Sequence, residues 1–203
     1  MSNPDFIYLA SQSPRRQELL TQIGVKFELL LPDADENAEA LEIILPNEAP
    51  AQYVKRVTLL KLAAAQLRLQ RRGLPPAAIL AADTTVALRT HILGKPADEA
   101  DLRSMLTTLS GKEHQVLTAV AVGLGEQHEL QLSVSNVRFN VLSQRDILRY
   151  VESGEGYGKA GGYGIQGKAA TFVTHIVGSY SGIMGLPLFE TAQALKHLGL
   201  DIV

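Results

Sequence analysis

Short unbroken apolar runs, each followed by a stretch of helical period, restrict this chain to a layered α/β fold. Phe6-Ile7-Tyr8-Leu9-Ala10 and Ala78-Ile79-Leu80-Ala81-Ala82 carry no charged residue to turn towards water. Strands of that kind need cover on both faces, and alternating helices supply it. Between and after them lie helical stretches: Gln17 to Gly24, Ala51 to Arg71 started by Pro50, Asp98 to Leu109, Ser143 to Glu152, and Leu188 to Leu198 closed by Gly199. Further strands are read over Lys26 to Leu31, Val86 to Leu88, Ile92-Leu93, Gln115 to Val122, Glu129 to Leu142 and Thr171 to Val177. The link Gly123-Leu124-Gly125 reads as a hairpin, and Ser143 with Asp146 as a capping box in which Asp replaces the usual Glu.

No repeat or linker divides the 203 residues, so residues 1–203 read as a single domain. A formal net charge of −2 offers no global basic field. Nucleic acid and anionic membranes are therefore not the expected partners, and any phosphate binding must be local. The absence of cysteine excludes disulfides, thiolate zinc sites and a cysteine nucleophile. No segment reaches the ~18 apolar residues of a membrane span, and the first apolar run is too short for a signal segment. A cytoplasmic protein is expected.

Chemistry concentrates in a few places. Ser11-Gln12-Ser13-Pro14-Arg15-Arg16 joins the first strand to the first helix. Ser13 suits the cap and Pro14 the first turn. The free amides of a helix start and two guanidiniums form a polyphosphate site in outline; the same residues also read as a capped turn with two solvated arginines. Asp83 stands where an apolar strand ends, beside Thr84 and Thr85, aimed at a cleft or simply forming a turn. Lys61 and Lys95 are two further cations, each of which alone reads as a surface lysine. Asp35-Glu36 offers oxygen ligands for a divalent cation, or an acidic surface loop. His91, His114, His128, His175 and His197 lack neighbours at metal spacing and read as structural or surface groups.

The second strong signal is Gly158-Lys159-Ala160-Gly161-Gly162-Tyr163-Gly164-Ile165-Gln166-Gly167. Its glycines allow close backbone approach to a ligand. It lacks the ending of a Walker loop. Gln166 supplies an amide that can read a base edge, and Tyr163 an aromatic face.

Taken together, these residues resemble the Maf family of nucleoside triphosphate pyrophosphatases, from Ile7 to about Leu198. The resemblance rests on Ser11 to Arg16, Asp35-Glu36, Lys61, Ala82-Asp83-Thr84, Gly94-Lys95-Pro96, Ser110-Gly111 with His114, and Gly185-Leu186-Pro187. The run Ala160 to Gly167 is similar to the subgroup that prefers dTTP and UTP. The resemblance implies a long mixed sheet flanked by helices, with two lobes and a central cleft, similar to the inosine triphosphate pyrophosphatases. It implies hydrolysis of a small nucleoside triphosphate to the monophosphate and pyrophosphate, with Mg2+ or Mn2+ as cofactor. It makes Asp83 the proton acceptor and Arg15, Thr84 and Gln166 the selectivity positions. On this reading Glu36 and Asp83 hold the metal. Ser11, Ser13, Arg15, Arg16, Lys61, Thr84, Lys95 and Gln166 hold substrate. Removing any one of the four cations is expected to weaken nucleotide use at little cost to folding. A homodimer is compatible with this reading. The competing readings are a pyrophosphatase for non-canonical purines or 7-methyl-GTP, and a non-catalytic nucleotide-binding regulator of cell division.

Overall fold

The computed structural model describes residues 5–37 and 39–200. Among the described residues, seven strands form one mixed sheet. In chain order they are β1 (Ile7–Leu9), β2 (Phe27–Leu29), β3 (Ile79–Leu88), β4 (His91–Leu93), β5 (Glu113–Leu124), β6 (Gln127–Phe139) and β7 (Val173–Val177). The order across the sheet is β2-β1-β3-β5-β6-β7, with β4 also on β3. β1 runs parallel to both β2 and β3, and every other pairing is antiparallel.

The α-helices among the described residues are α1 (Pro14–Gln22), α2 (Pro50–Arg71), α3 (Glu99–Leu109), α4 (Gln144–Glu152), α5 (Tyr180–Met184) and α6 (Leu188–His197). They flank the sheet. Ile7, Leu9, Leu80 and Ala82 pack with Leu19, Leu20, Ala194 and Leu195 of α1 and α6. Ile79, Ala81 and Tyr8 pack with Leu62 and Ala65 of α2. The alternation along β3 thus serves a helix on each face, which is why its sequence is apolar without a break. A third cluster joins α3 and α4 to Val116, Val137, Phe139 and Tyr163.

The α/β reading, the long helix after Pro50 and the Ser143–Asp146 box all agree with the structure; Ser143 Oγ accepts from the Asp146 amide and the Asp146 carboxylate accepts from the Ser143 amide. Other elements differ. The β5–β6 ladder continues to Leu124↔Gln127, so the hairpin turn is Gly125-Glu126, with Gly125 at φ +60°. β6 ends at Phe139 rather than Leu142, where the Asn140 amide crosses to the Phe172 carbonyl. Residues 168–172 form a 3-10 turn before β7.

Candidate active site

β5 pairs with β3 from Ile79 to Ala87 without interruption. The opposite edge of β3 is not continuous. β1 covers it only at Ile79 and Leu80, and β4 only from Val86 to Leu88. Between those two partners the edge is open, and the cavity enters there. Asp83 is therefore not at a strand end, as its sequence suggested, but in mid-strand beside a gap in the sheet. The strand runs on because β5 holds it throughout. A period of two turns Asp83 towards α2 and Thr84 towards α1, so the gap exposes adjacent residues from both faces to one cavity of about 880 Å³.

Asp83 is only 7% exposed. A carboxylate so buried needs a partner, and Lys61 of α2 provides one, Nζ to Oδ1 2.6 Å. The same ammonium donates to Glu42 Oε1 at 2.8 Å. The other oxygen of Glu42 accepts from Lys95 Nζ at 2.7 Å. Lys95 follows β4, so one carboxylate bridges two cations drawn from different elements. Desolvation raises the Glu42 pKa, but Lys61 and Lys95 outweigh it and hold the carboxyl below its ordinary range. The segment carrying Glu42 is clamped to α2: the Tyr53 hydroxyl donates to the Glu42 carbonyl, Arg56 donates to the Ile43 carbonyl, and Arg56 also pairs with Glu48. Glu42 carries no motif that sequence reasoning could have used. Its position follows from the clamp.

Arg16 ties three parts of the wall together. Nε donates to the Gly185 carbonyl at 2.7 Å, Nη1 to Ser11 Oγ at 3.2 Å and Nη2 to Thr84 Oγ1 at 3.3 Å. Thr84 and Thr118 lie 2.9 Å apart through their hydroxyls, and the Thr118 hydroxyl donates to the Gly182 carbonyl at 2.7 Å. A hydroxyl has one proton, so the chain has a direction: Arg16 to Thr84, Thr84 to Thr118, Thr118 to the α5 backbone. The Thr84 proton points away from the cavity. Arg16 is thus a structural member of the site as well as a cation: its loss would take the side-chain donor from the Gly185 carbonyl and one bond from each of the Ser11 and Thr84 hydroxyls. Against the expectation of little cost to folding, removal of Arg16 should cost stability through these bonds.

Ser13 occupies the N-cap position of α1, yet its hydroxyl makes no capping bond; its amide instead donates to Ser11 Oγ at 3.2 Å. The first amides of the helix therefore remain available to an anion. Ser11, Ser13, Arg15 and Arg16 all line the cavity. Arg15 lies against the glycine-rich loop, where a Cβ on Gly164 would stand 3.2 Å from its guanidinium. Lys159 lines the same wall. Burial first, and the charge of Arg15 second, pull the Lys159 pKa down. It is a fifth cation, passed over in the sequence because it precedes the Tyr-Gly-Ile-Gln run.

The glycine-rich loop is a rigid frame. Gly161 sits at φ +68°, and a Cβ there would meet all three outer carbons of Val86 within 2.9 Å. Its amide donates to the Gly94 carbonyl, which joins the loop to the turn carrying Lys95. Glu155 accepts from the Tyr150 hydroxyl and from the Lys168 amide, and Tyr150 accepts from the Gly164 amide. Gln166 projects from this frame, exposed, on the cavity wall. Tyr163 does not offer its face as expected. It is 6% exposed, its hydroxyl is 2.7 Å from His114 Nε2, and its ring packs edge-on against Phe139. Core burial claims the ring.

His114 is structural and 2% exposed. Burial is the main cause that pulls its pKa down from 6.5 to about 4. Between those values the unfolded chain binds one proton that the folded chain does not, so stability falls as the pH drops from 6.5 to about 4. At ~1.36 kcal/mol per unit this amounts to about 3 kcal/mol. Denaturant unfolding at pH 7 and pH 4.5 should show His114→Phe losing about 2–3 kcal/mol less than the wild type on acidification; equal losses would remove His114 from the account.

Glu36 is not brought to the cavity. Arg68 grips it through Nε at 2.9 Å and Nη2 at 2.6 Å, and Arg71 through Nη2 at 2.6 Å. The hydrogen bond to Arg68 is the main cause that holds its carboxyl down at about 2. Its expected place on a metal is not met in this arrangement, because Glu36 is outside the cavity lining and tied to two guanidiniums of α2. Among the described residues no group of three His, Asp or Glu is arranged around a metal position. Glu42 and Asp83 do converge, each within hydrogen-bond reach of the Lys61 ammonium. A pair of carboxylates is a donor set that suits Mg2+ or Mn2+, which takes one or two carboxylates and completes its shell with water and phosphate oxygens; a cation here would share these oxygens with Lys61 and Lys95.

Comparison with known proteins shows the family. The family model described as Maf-like protein matches residues 6–198. A protein of Albidiferax ferrireducens named dTTP/UTP pyrophosphatase is 61% identical over 198 residues, covering 98% of this chain and 99% of its own length. A Ralstonia nicotianae protein of the same name is 61% identical over 197 residues, covering 97% and 95%. One from a Polaromonas species is 56% identical over 202 residues, covering 100% of each. Among solved structures, the Staphylococcus aureus Ham1 protein superposes with a TM-score of 0.43 at 11% identity, over 66% of this chain and 71% of its own.

Proposed function

The chain belongs to the Maf family, and from that premise we propose that it hydrolyses dTTP and UTP between the α and β phosphates, releasing the monophosphate and pyrophosphate. The observation that carries the reading is Asp83: a buried carboxylate, paired with Lys61, at the one break in the edge of β3. Such a group can take a proton from water while neighbouring cations hold the phosphates.

Lys61 holds the Asp83 carboxylate in place. Lys95, Arg15 and Lys159 face the chain of phosphates, and the open amides of α1 receive one of them. Arg16 fixes Ser11 and Thr84 between these groups. Glu42 and Asp83 would hold a divalent cation, which when bound supplies charge neutralisation to the triphosphate. The protein's share is positioning and electrostatic stabilisation, the larger part of catalysis at phosphorus. Gln166 can donate to a carbonyl and accept from an imide N–H, so it suits the edge of uracil or thymine. A chain without cysteine suits a reducing cytoplasm, and no helix among the described residues is long and apolar enough to cross a membrane.

Pyrophosphate release across UTP, dTTP, GTP, ITP and 7-methyl-GTP tests the reading. UTP and dTTP should lead. Gln166→Ala should lower activity on UTP by about tenfold or more while residual purine activity changes little, because a site built to bond one edge is left with unpaired groups. Preference for GTP or 7-methyl-GTP, or an unchanged UTP-to-GTP ratio in the variant, would overturn it.

A further inference from the structure

Three tyrosines reach the cavity wall, and two are already engaged. Tyr53 is buried, with its hydroxyl on the Glu42 carbonyl and Arg56 over its ring. Tyr163 is buried against His114 and Phe139. Tyr157 is different: it is 42% exposed and is the one accessible aromatic ring on the wall among the described residues.

Its backbone is not free to carry the ring away. Gly156, the preceding residue, is packed so tightly that a Cβ would stand 2.5 Å from the Gly162 carbonyl and 2.7 Å from Leu102. Glu155, one residue earlier, is fixed by Tyr150 and by the Lys168 amide. A pinned backbone thus presents an unpartnered planar apolar surface to a cavity otherwise rich in charge. The same frame presents Gln166, also exposed, to the same cavity. One side chain offers a flat face and the other an amide edge. A heterocyclic base needs both, and a phosphate needs neither.

We propose that Tyr157 is the stacking platform for the nucleobase, acting on the ring face while Gln166 acts on its edge. This deepens the nucleotide reading given above and rests on it. Stacking is indifferent to the identity of the base, so Tyr157 sets affinity for nucleotides as a class and Gln166 sets the choice among them. The phenol hydroxyl has no part in this role.

The test uses Tyr157→Ala, Tyr157→Phe and Tyr157→Trp in the full chain. Tyr157→Ala should raise KM for UTP and dTTP about tenfold, the usual scale for a lost base–aromatic contact, with kcat changed by less than about twofold. Tyr157→Phe should restore the wild-type KM. Inhibition by inorganic tripolyphosphate, which has phosphates and no base, should be equal in Tyr157→Ala and wild type. The chain contains no tryptophan, so Tyr157→Trp supplies a single reporter, whose emission should be quenched by uridine monophosphate and unaffected by pyrophosphate. An unchanged KM in the alanine variant, a phenylalanine variant as impaired as alanine, or equal quenching by pyrophosphate would each overturn the proposal. A wild type that releases no pyrophosphate from UTP would instead overturn the underlying nucleotide reading, while quenching of the Tyr157→Trp reporter, which needs no turnover, still tests the stacking.

Discussion

Asp83→Asn should reduce steady-state pyrophosphate release by about 10²-fold or more, the scale of a lost general base, while leaving the melting temperature within a few degrees of wild type. The asparagine keeps the shape and can still accept from Lys61 Nζ, which remains paired with Glu42. What disappears is basicity and one negative charge. The two readouts must therefore separate. A variant that is inactive and also unfolded would place Asp83 among structural residues. Near-normal turnover in a folded variant, or orthophosphate as the primary product, would remove it from the reaction.

Lys61→Ala should be about as damaging, by a different route. Its ammonium is the shared partner of Asp83 and Glu42, which are 9% and 24% exposed in their side chains. Without it two partly buried carboxylates face each other uncompensated on that side, and like charge together with desolvation raises carboxyl pKa values. The rate at pH 7 should fall by about 10²-fold. Lys61→Arg should recover part of the rate by restoring the charge. Near-normal turnover in a folded Lys61→Ala variant would remove Lys61 from the reaction.

The parts of the fold that were legible in the sequence are those where one local force decides. The unbroken apolar run before Asp83, the capped helix after Ser143 and the long helix from Pro50 each carry their own signal in period or punctuation. The active-site geometry was legible only as a set of residue types. Asp83 read as a strand end because polar residues usually mark one; it lies in mid-strand because β5 pairs along the whole segment, a nonlocal fact. Tyr163 read as a ligand-facing ring because it lies among glycines, whereas the core behind the loop claims it and leaves Tyr157 at the wall. Glu36 read as the metal acid because it follows another acid in a loop. Two arginines on the far end of α2 hold it, and Glu42, with no motif around it, takes the position over the lysines because Tyr53 and Arg56 hold its backbone there.

The bridge from Glu42 to Lys61 and Lys95 has a consequence for how the cleft fills. Its most forward lysines already hold an anion of the protein's own, so an arriving phosphate exchanges with a bound carboxylate rather than settling on bare charge. Association then follows the logic of an ion-exchange resin. Cations that are already compensated add little to the long-range field that steers a ligand inwards. The dependence of binding on ionic strength is correspondingly shallower than the number of lysines and arginines in the cleft would suggest, and selectivity against stray anions is built into the resting state. Only a ligand that repeats the charge at several points, as a triphosphate does, competes with an acid tethered in place.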